Sequence, residues 1–470
     1  MMRIATVHYH LRPGGVSRVM ESAKAALRDA PFELALLAGD TVAALDYAPE
    51  PARTDPALLA DQLEAAARAA LGGAPDLWHI HNHSLGRNPS AAAAFTELAR
   101  RGHRLLLQVH DFAEDGRPAN YRLLRDHLGG ALAATLYPEA AHVHYAVLNP
   151  RDRAALAAAG VPRDRLHDLP NPVLPLAGTD TSATQTGAQP PLVLYPTRAI
   201  RRKNIGEFLL WAALETGDRR YALTLAPTTP SDRAPYEEWK AFAYRLRLPV
   251  DFEAGLQPGE TLETLRARAD CVATTSVAEG FGLAFTEPWL ANRALAGRAL
   301  PEITADMEAA GLDLTALYTR LEFPLEWVGA ETLRARIDAA LQRMAVAYDV
   351  PMAADAADRA WHAFIAGDRV DFGRLDEPMQ AAVIERIRAA PDLRRAIYPA
   401  RLDSGSKRER IAANRAVVAR TYDLSGYARR LAALYATVGR TEPGPVRAYD
   451  ADAVRRFFLD PARLFLLRSP

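Results

Sequence analysis

Short apolar runs recur through the first third of the chain, at residues 4–9, 32–38, 77–80, 105–109 and 143–148, with stretches of helical spacing between them. Strands that alternate with helices in this way predict a parallel sheet wound on both faces. A second series follows at residues 192–195, 221–226, 250–252, 271–275 and 294–296 and predicts a second domain of the same kind. Residues 177–190 turn to Gly, Thr, Ser, Gln and Pro, which is linker composition. Two such domains facing each other leave a cleft between their strand ends.

Beyond the second series the pattern changes. Amphipathic pieces at 331–337 and 379–387 add more helix than a second sheet requires. Residues 310–420 are therefore expected to form a helical insertion or extension, serving acceptor recognition or self-association; extra scaffold explains them equally well. The expected organisation is 1–175 for the first Rossmann-like domain, 176–190 for the linker, 191–309 for the second domain, 310–420 for the helical part and 421–470 for terminal helices.

Length and composition agree with this outline. At 470 residues the chain is too long for one core, and 49% hydrophobic residues fill two. Lys+Arg and Asp+Glu are each 57, so the balanced charge gives no general attraction to nucleic acid or anionic lipid, and no nucleic-acid partner is expected. The single cysteine, Cys271, lies in an apolar run and reads as a small buried hydrophobe. The first nine residues carry a charge and alternate like a strand, unlike a signal peptide, and no run of about 18 apolar residues occurs. A cytoplasmic protein is expected.

Candidate chemistry begins at residues 279–287, Glu-Gly-Phe-Gly-Leu-Ala-Phe-Thr-Glu, which follow the apolar run at 271–273 and Thr274-Thr275-Ser276. The spacing predicts a strand, a loop over 276–281 and a helix from about Gly282. Bare amides at such a helix start favour hydroxyl oxygens and anions, while Glu279 can accept from two sugar hydroxyls and Glu287 sits between one and two turns further in. Taken alone, the same residues fit a solvated helix after a tight turn. Upstream, Arg198 and Lys203 stand five apart in a basic cluster that follows the strand at 192–195. Two fixed cations stabilise a departing diphosphate more than the bound ground state, with no metal required. The competing explanation is a solvated basic patch.

In the first domain, the strand over 3–9 leads into Gly14-Gly15, and Val16, Val19, Met20, Ala23 and Leu27 then recur at helical spacing. The absence of Gly-x-Gly-x-x-Gly weighs against a nicotinamide or flavin dehydrogenase. His110-Asp111 ends the strand at 105–109, at the sheet edge where open α/β folds bind ligands. His79, His81 and His83 alternate and, sharing a strand face, could all converge on a metal; without a cysteine or carboxylate at zinc-like spacing they fit better as the short third strand.

Arg198-x4-Lys203, followed some eighty residues later by Glu279-x7-Glu287, resembles the paired signature of family 4 glycosyltransferases, which are retaining enzymes of the GT-B fold. Gly14-Gly15, His110-Asp111, the Leu169-Pro170-Asn171-Pro172-Val173 segment and, more loosely, residues 297–303 resemble further elements of that family. The resemblance covers residues 1–305 and the helical tail near 420–437. It implies two Rossmann-like doubly wound parallel-sheet domains facing across a cleft, and a metal-independent, retaining transfer of a hexose from a nucleotide-diphosphate sugar to a hydroxyl acceptor. By the same resemblance Glu279 and the amides of Phe281, Gly282 and Leu283 hold sugar hydroxyls, Gly280 belongs to the same donor-binding turn, Glu287 holds the ribose, and Arg198, Lys203 and the amides of Gly14 and Gly15 neutralise the diphosphate. His110 then positions the sugar near the reacting carbon. No cofactor is implied, the nucleotide sugar being a substrate. Asp450-Ala451-Asp452 imitates the Asp-x-Asp manganese site of the other major glycosyltransferase fold but opens a helix, where it reads as a cap. Membrane binding wants a basic amphipathic helix; residues 117–136 have a leucine stripe, but Gly129-Gly130 interrupts it and its second half carries no cation, so a soluble acceptor is expected over a lipid. A sugar phosphorylase, a nucleotide-sugar epimerase and a non-catalytic nucleotide-sugar scaffold are the alternatives, and homo-oligomerisation stays open.

Overall fold

The computed structural model describes residues 1–47, 54–175, 190–403 and 408–469. The expected linker, apart from Pro190, lies outside the described residues. The chain divides into two compact units, one of residues 1–172, 346–349 and 422–460, the other of residues 173–345, 350–421 and 461–470.

The first unit is built on six parallel strands in the order Phe32–Leu37, Met2–Val7, Leu77–His81, Leu105–Gln108, Val143–Val147, Leu166–Asp168. The five expected strands are all present. The sixth, at the sheet edge, has only three residues and leaves too short a run to show as a pattern. Every residue of Leu77–His81 and of Leu105–Gln108 is buried, as befits strands covered on both faces. The helix Gly15–Ala26 turns Val19, Ala23 and Leu27 onto this sheet beside the helix Leu424–Val438, whose Tyr427, Leu431, Leu434, Tyr435 and Val438 recur at helical spacing. The terminal helices are thereby part of the first unit's core. Asp450 does cap a helix, Ala451–Phe458, accepting from the amide of Ala453 at 3.0 Å.

The second unit has five parallel strands in the order Val250–Asp251, Arg220–Leu225, Leu192–Arg198, Cys271–Thr274, Ala294–Gly297. The strand that begins at Leu192 runs three residues further than the apolar pattern indicates, and its register against Arg220–Leu225 shifts between Tyr195 and Arg198. Residues 310–420 contain the expected helices and also a small antiparallel sheet in the order Glu322–Pro324, Arg369–Asp371, Ile365–Ala366. Strands of two or three residues carry no periodic signal. Phe323, Val370, Phe372 and Ile384 from this region share one core with Phe208, Leu209 and Trp211 of the wholly buried helix Ile205–Leu214.

Candidate active site

In each sheet the strand order reverses once. The chain steps outward from its first strand and then returns to that strand's other side, and α/β folds bind ligands at the carboxyl ends of the strands flanking such a reversal. In the second unit those strands are Leu192–Arg198 and Cys271–Thr274, and the residues following them are built together.

After Arg198 the chain makes a tight turn, Arg201–Lys203, and Asn204 takes left-handed backbone angles (φ 52°) before the helix Ile205–Leu214 begins. Asparagine tolerates that conformation because its short side chain bonds locally. Here its Nδ2 donates to Glu207 at 2.8 Å and its Oδ1 accepts from Gln380 at 2.8 Å. The Lys203 carbonyl accepts from the hydroxyls of Tyr195 (3.1 Å) and Thr275 (3.0 Å), so the lysine backbone is fixed from both flanking strands. Its Nζ donates to Oε1 of Glu279. Arg202 donates to the carbonyl of Ala278 at 3.1 Å and stands 3.8 Å from the other Glu279 oxygen.

The basic run is therefore divided in its contacts. Arg201 makes a two-bond pair with Glu377 at 2.6 and 2.9 Å and is structural, whereas the Lys203 side chain is only 15% exposed and the Glu279 side chain 9%. A solvated patch does not describe these residues. Burial alone raises the Glu279 carboxyl, but Lys203 and Arg202 outweigh it and hold the group below the usual carboxylate range. Burial lowers the Lys203 ammonium, with Glu279 opposing.

The acidic turn differs from its sequence expectation. The helix does not start at Gly282: a tight turn, Leu283–Phe285, comes first, and a one-turn helix, Glu287–Leu290, begins at Glu287 itself. Gly282 has φ 86°, and a Cβ there would stand 2.9 Å from Cδ2 of Phe285, so the chain passes only as glycine. The Glu287 carboxylate is held by Arg266 at 2.5 Å. Arg198 is exposed and donates to Thr228 at 3.1 Å. The structure thus joins Lys203 to Glu279 directly, while Arg198 and Glu287 each have another partner.

Behind the turn lies a buried ionic network that sequence reasoning missed. Arg298 (2% exposed) makes paired bonds to Glu207 (2.9 and 2.7 Å) and to Asp371 (3.1 and 2.8 Å). Tyr318 donates to Glu207 at 2.7 Å and itself accepts from Trp211 at 2.8 Å. Burial pushes the Asp371 carboxyl up, yet Arg298 more than offsets it and leaves the group lowered. Gly297, just before Arg298, has φ 115° and brings its Cα so near the carbonyl of Thr274 that a Cβ would sit 2.0 Å from that oxygen. Glu207, Asp371 and Gln380 belong to no motif, and only their meeting in three dimensions marks them.

In the first unit the reversal lies between Met2–Val7 and Leu77–His81. His8 follows the first of these strands, His81 ends the second, and His110 follows Leu105–Gln108. A ring nitrogen of His8 bonds the carbonyl of His81 at 3.3 Å, and His81 Nδ1 lies 3.0 Å from His110 Nε2. Asn82, left-handed at φ 64°, accepts on its Oδ1 from the amides of Asp111 (2.8 Å) and His110 (3.3 Å), which clamps the His-Asp pair to the third strand. Arg117 donates to Asp111. Burial lowers His8 to about 4 and His110 to about 3, so both rings are neutral near pH 7.

The three alternate histidines do not converge. The His79 and His81 rings lie against each other, tilted by 33° with centres 4.2 Å apart, whereas His83 bonds the carbonyl of Leu136 at 2.8 Å. Among the described residues no group of three or more His, Cys, Asp or Glu is arranged to hold a metal. Gly14 precedes the helix Gly15–Ala26 in an extended conformation, and a Cβ on Gly15 would meet nothing within 4 Å. Cys271 is buried, and burial pushes its thiol up to about 12. No helix among the described residues is long and apolar enough to cross a membrane.

No family model matches the chain. It is similar to a mannosylglucosyl-3-phosphoglycerate synthase of Petrotoga mobilis, 26% identical over 330 residues, which cover 61% of this chain and 63% of that protein. The match thus spans less than two thirds of the relative's length. Among solved structures it is similar to Anabaena HepE in complex with UDP-glucose, at 16% identity with a TM-score of 0.53, over 93% of this chain and 100% of that one. It is also similar to the sucrose-phosphate synthase of Thermosynechococcus elongatus, at 15% identity with a TM-score of 0.53, over 93% of this chain and 99% of that one. Likeness over that much of the chain, together with two parallel sheets each flanked by helices, identifies the fold as GT-B, with two Rossmann-like units.

Proposed function

We propose that this protein is a retaining glycosyltransferase of the family 4 type, working in the cytoplasm, that moves a hexose from a nucleotide-diphosphate sugar to a hydroxyl acceptor without a metal. The observation that carries this reading is the Lys203–Glu279 pair, desolvated at the carboxyl end of the second unit's sheet with Arg202 beside it. A cation and a carboxylate that hold each other without ligand are matched to the two ends of a sugar diphosphate. Lys203 and Arg202 turn to the phosphate oxygens, and Glu279 accepts from sugar hydroxyls.

As the bond to the anomeric carbon breaks, negative charge grows on the leaving diphosphate. Fixed cations in a site of low dielectric stabilise that charge more than they stabilise the bound donor. Lys203 has the strongest claim to this role because its carbonyl is held by the hydroxyls of both Tyr195 and Thr275. Arg198 joins it on exchanging Thr228 for a phosphate oxygen. Gly280, Phe281, Gly282 and Leu283 supply the turn that receives the sugar, and Glu287 the contact to ribose. In the first unit, the backbone amides at Gly14 and Gly15 are assigned to the diphosphate and His110 to the sugar. The acceptor attacks the face that the diphosphate leaves, and a phosphate oxygen takes its proton, so configuration is kept.

The similar Petrotoga protein is named as a synthase of a glycosylated phosphoglycerate, which is in keeping with a soluble acceptor. A thermal-shift panel of UDP, GDP and ADP, free and with their sugars, identifies the donor, because a ligand of the folded state raises its melting temperature by mass action. Labelled donor is then offered with acceptor alcohols or with free phosphate. Transfer to an alcohol with retained configuration supports the reading. Consumption by phosphate points instead to a phosphorylase, conversion without acceptor to an epimerase, and binding without turnover to a scaffold.

A further inference from the structure

The histidines at the end of the first unit's sheet form a ladder rather than a set of separate rings. At its base Tyr435, from the helix Leu424–Val438, lies 2.8 Å from His79 Nδ1, and His79 Nε2 lies 3.0 Å from Oε1 of Gln108. An amide oxygen only accepts, so His79 carries its proton on Nε2 and takes the tyrosine hydroxyl hydrogen on Nδ1. His81 packs against His79 with its ring tilted by 33°, and its Nδ1 lies 3.0 Å from Nε2 of His110.

Burial keeps these rings neutral, with His79 and His110 lowered to about 3 and His81 also lowered well below its ordinary value. A neutral imidazole has one N–H and one bare nitrogen, so the His81–His110 bond can be made in two ways. Either His81 donates from Nδ1 and its Nε2 stays bare, or His110 donates from Nε2 and His81 must carry its proton on its own Nε2. His81 Nε2 is sealed from solvent and has no partner. A buried N–H with no acceptor is the rarer and costlier defect, and an acceptor left bare is better tolerated. His110 Nδ1 has no hydrogen-bond partner among the described residues.

We propose that His81 is a positioning residue that holds His110 in the tautomer with its proton on Nδ1, so that His110 meets the bound ligand as a hydrogen-bond donor to a sugar oxygen and not as a base. The role of the ligand contact rests on the glycosyltransferase reading above; the tautomer does not. Tyr435 and His79 pin His81 from behind, which ties the C-terminal helix to the geometry of His110.

Protein labelled with 15N-histidine reads the tautomer directly, through the two-bond proton–nitrogen correlation pattern of His110, assigned by its loss in His110→Gln. The expected pattern is protonated Nδ1 and bare Nε2 in the free protein. Protonated Nε2 overturns the proposal, whatever the protein transfers, and the spectrum of the unaltered protein decides this even where a variant fails to fold. In His81→Leu, His110 is expected to populate both tautomers, and kcat to fall about tenfold, as one lost hydrogen bond implies, with KM little changed. His81→Asn places an amide N–H where Nδ1–H stood and is expected to recover both the pattern and most of the turnover. Equal losses in the two variants with an unchanged tautomer also overturn it. An enzyme that shows the expected tautomer yet transfers no sugar removes the functional reading alone.

Discussion

Gln380 donates from Nε2 to Oδ1 of Asn204 at 2.8 Å, across 176 residues of sequence. Asn204 closes the turn that carries Lys203, and Gln380 stands on the helix Glu377–Ala389 within the region of extra helices. That region therefore buttresses the lysine turn. Gln380→Leu leaves a buried amide oxygen unpaired, which costs about 1–3 kcal/mol. A lowered melting temperature is expected, together with a smaller thermal shift from the nucleotide diphosphate. An unchanged ligand shift alongside the lowered melting temperature would confine Gln380 to a structural role.

Lys203→Ala removes the cation placed nearest to Glu279. Turnover of labelled donor is expected to fall roughly a hundredfold or more, the usual loss for one charge-stabilising group. Turnover close to that of the unaltered protein sinks the role assigned to Lys203.

Asp371 and Glu207 share one buried guanidinium, Arg298. Removing Asp371 takes the acceptor from two buried guanidinium N–H groups and from the amides of Leu321 and Gly373, so Asp371→Ala should cost about 3–5 kcal/mol. Asp358, whose side chain is 66% exposed while paired with Arg334, provides the control. Its alanine variant should stay within about 1 kcal/mol. Thermal denaturation of the two compares them, and equal small effects would contradict the network's assigned weight.

Two glycines separate packing from ligand approach. Gly297→Ala forces a Cβ to 2.0 Å from the carbonyl of Thr274 at φ 115° and should give misfolded or strongly destabilised protein. Gly15 is the first residue of a helix, with open space where a Cβ would go. Gly15→Ala should preserve or raise the melting temperature, since alanine favours helix by about 1 kcal/mol over glycine in a helix interior, yet weaken nucleotide-diphosphate binding. Affinity equal to that of the unaltered protein removes Gly15 from the site.

The buried histidines predict acid sensitivity. His8 and His83 are lowered to about 4, and His79 and His110 to about 3, chiefly by burial. The unfolded chain takes up their protons as pH falls through about 6.5, while the folded chain resists until about 4 at His8 and His83 and about 3 at His79 and His110. Their contribution to stability is thus full above about pH 6.5 and declines between about 6.5 and 3. The carboxyls that burial raises act in the opposite direction, Glu114 to about 7 with Asp152 and Glu207 also raised, but the lowered histidines outnumber them. Melting temperature should drop steadily from pH 7 to 5, and more gently in His83→Gln, where an amide N–H still reaches the Leu136 carbonyl without titrating. A flat profile contradicts the assignment of buried neutral rings.

The sequence by itself determined the two sheets, because ten apolar strand runs separated by helical spacing admit few other packings, and each expected strand is present. It also marked the cations Arg198 and Lys203 and the acidic turn from Glu279 to Glu287, since charged residues on turns after buried strands stand out locally. Tertiary structure alone decided the rest. That Arg201 is spent on Glu377 and Glu287 on Arg266 depends on which side chains lie within 3 Å. The Glu207–Arg298–Asp371 network and the His79–His81–His110 ladder join residues between 2 and 164 positions apart. Sequence patterns report local periodicity, whereas such contacts are set by how strands and helices stack. The short strands Leu166–Asp168 and Ile365–Ala366 were hidden for the same reason: their pairing comes from neighbours in space, not from a pattern of their own.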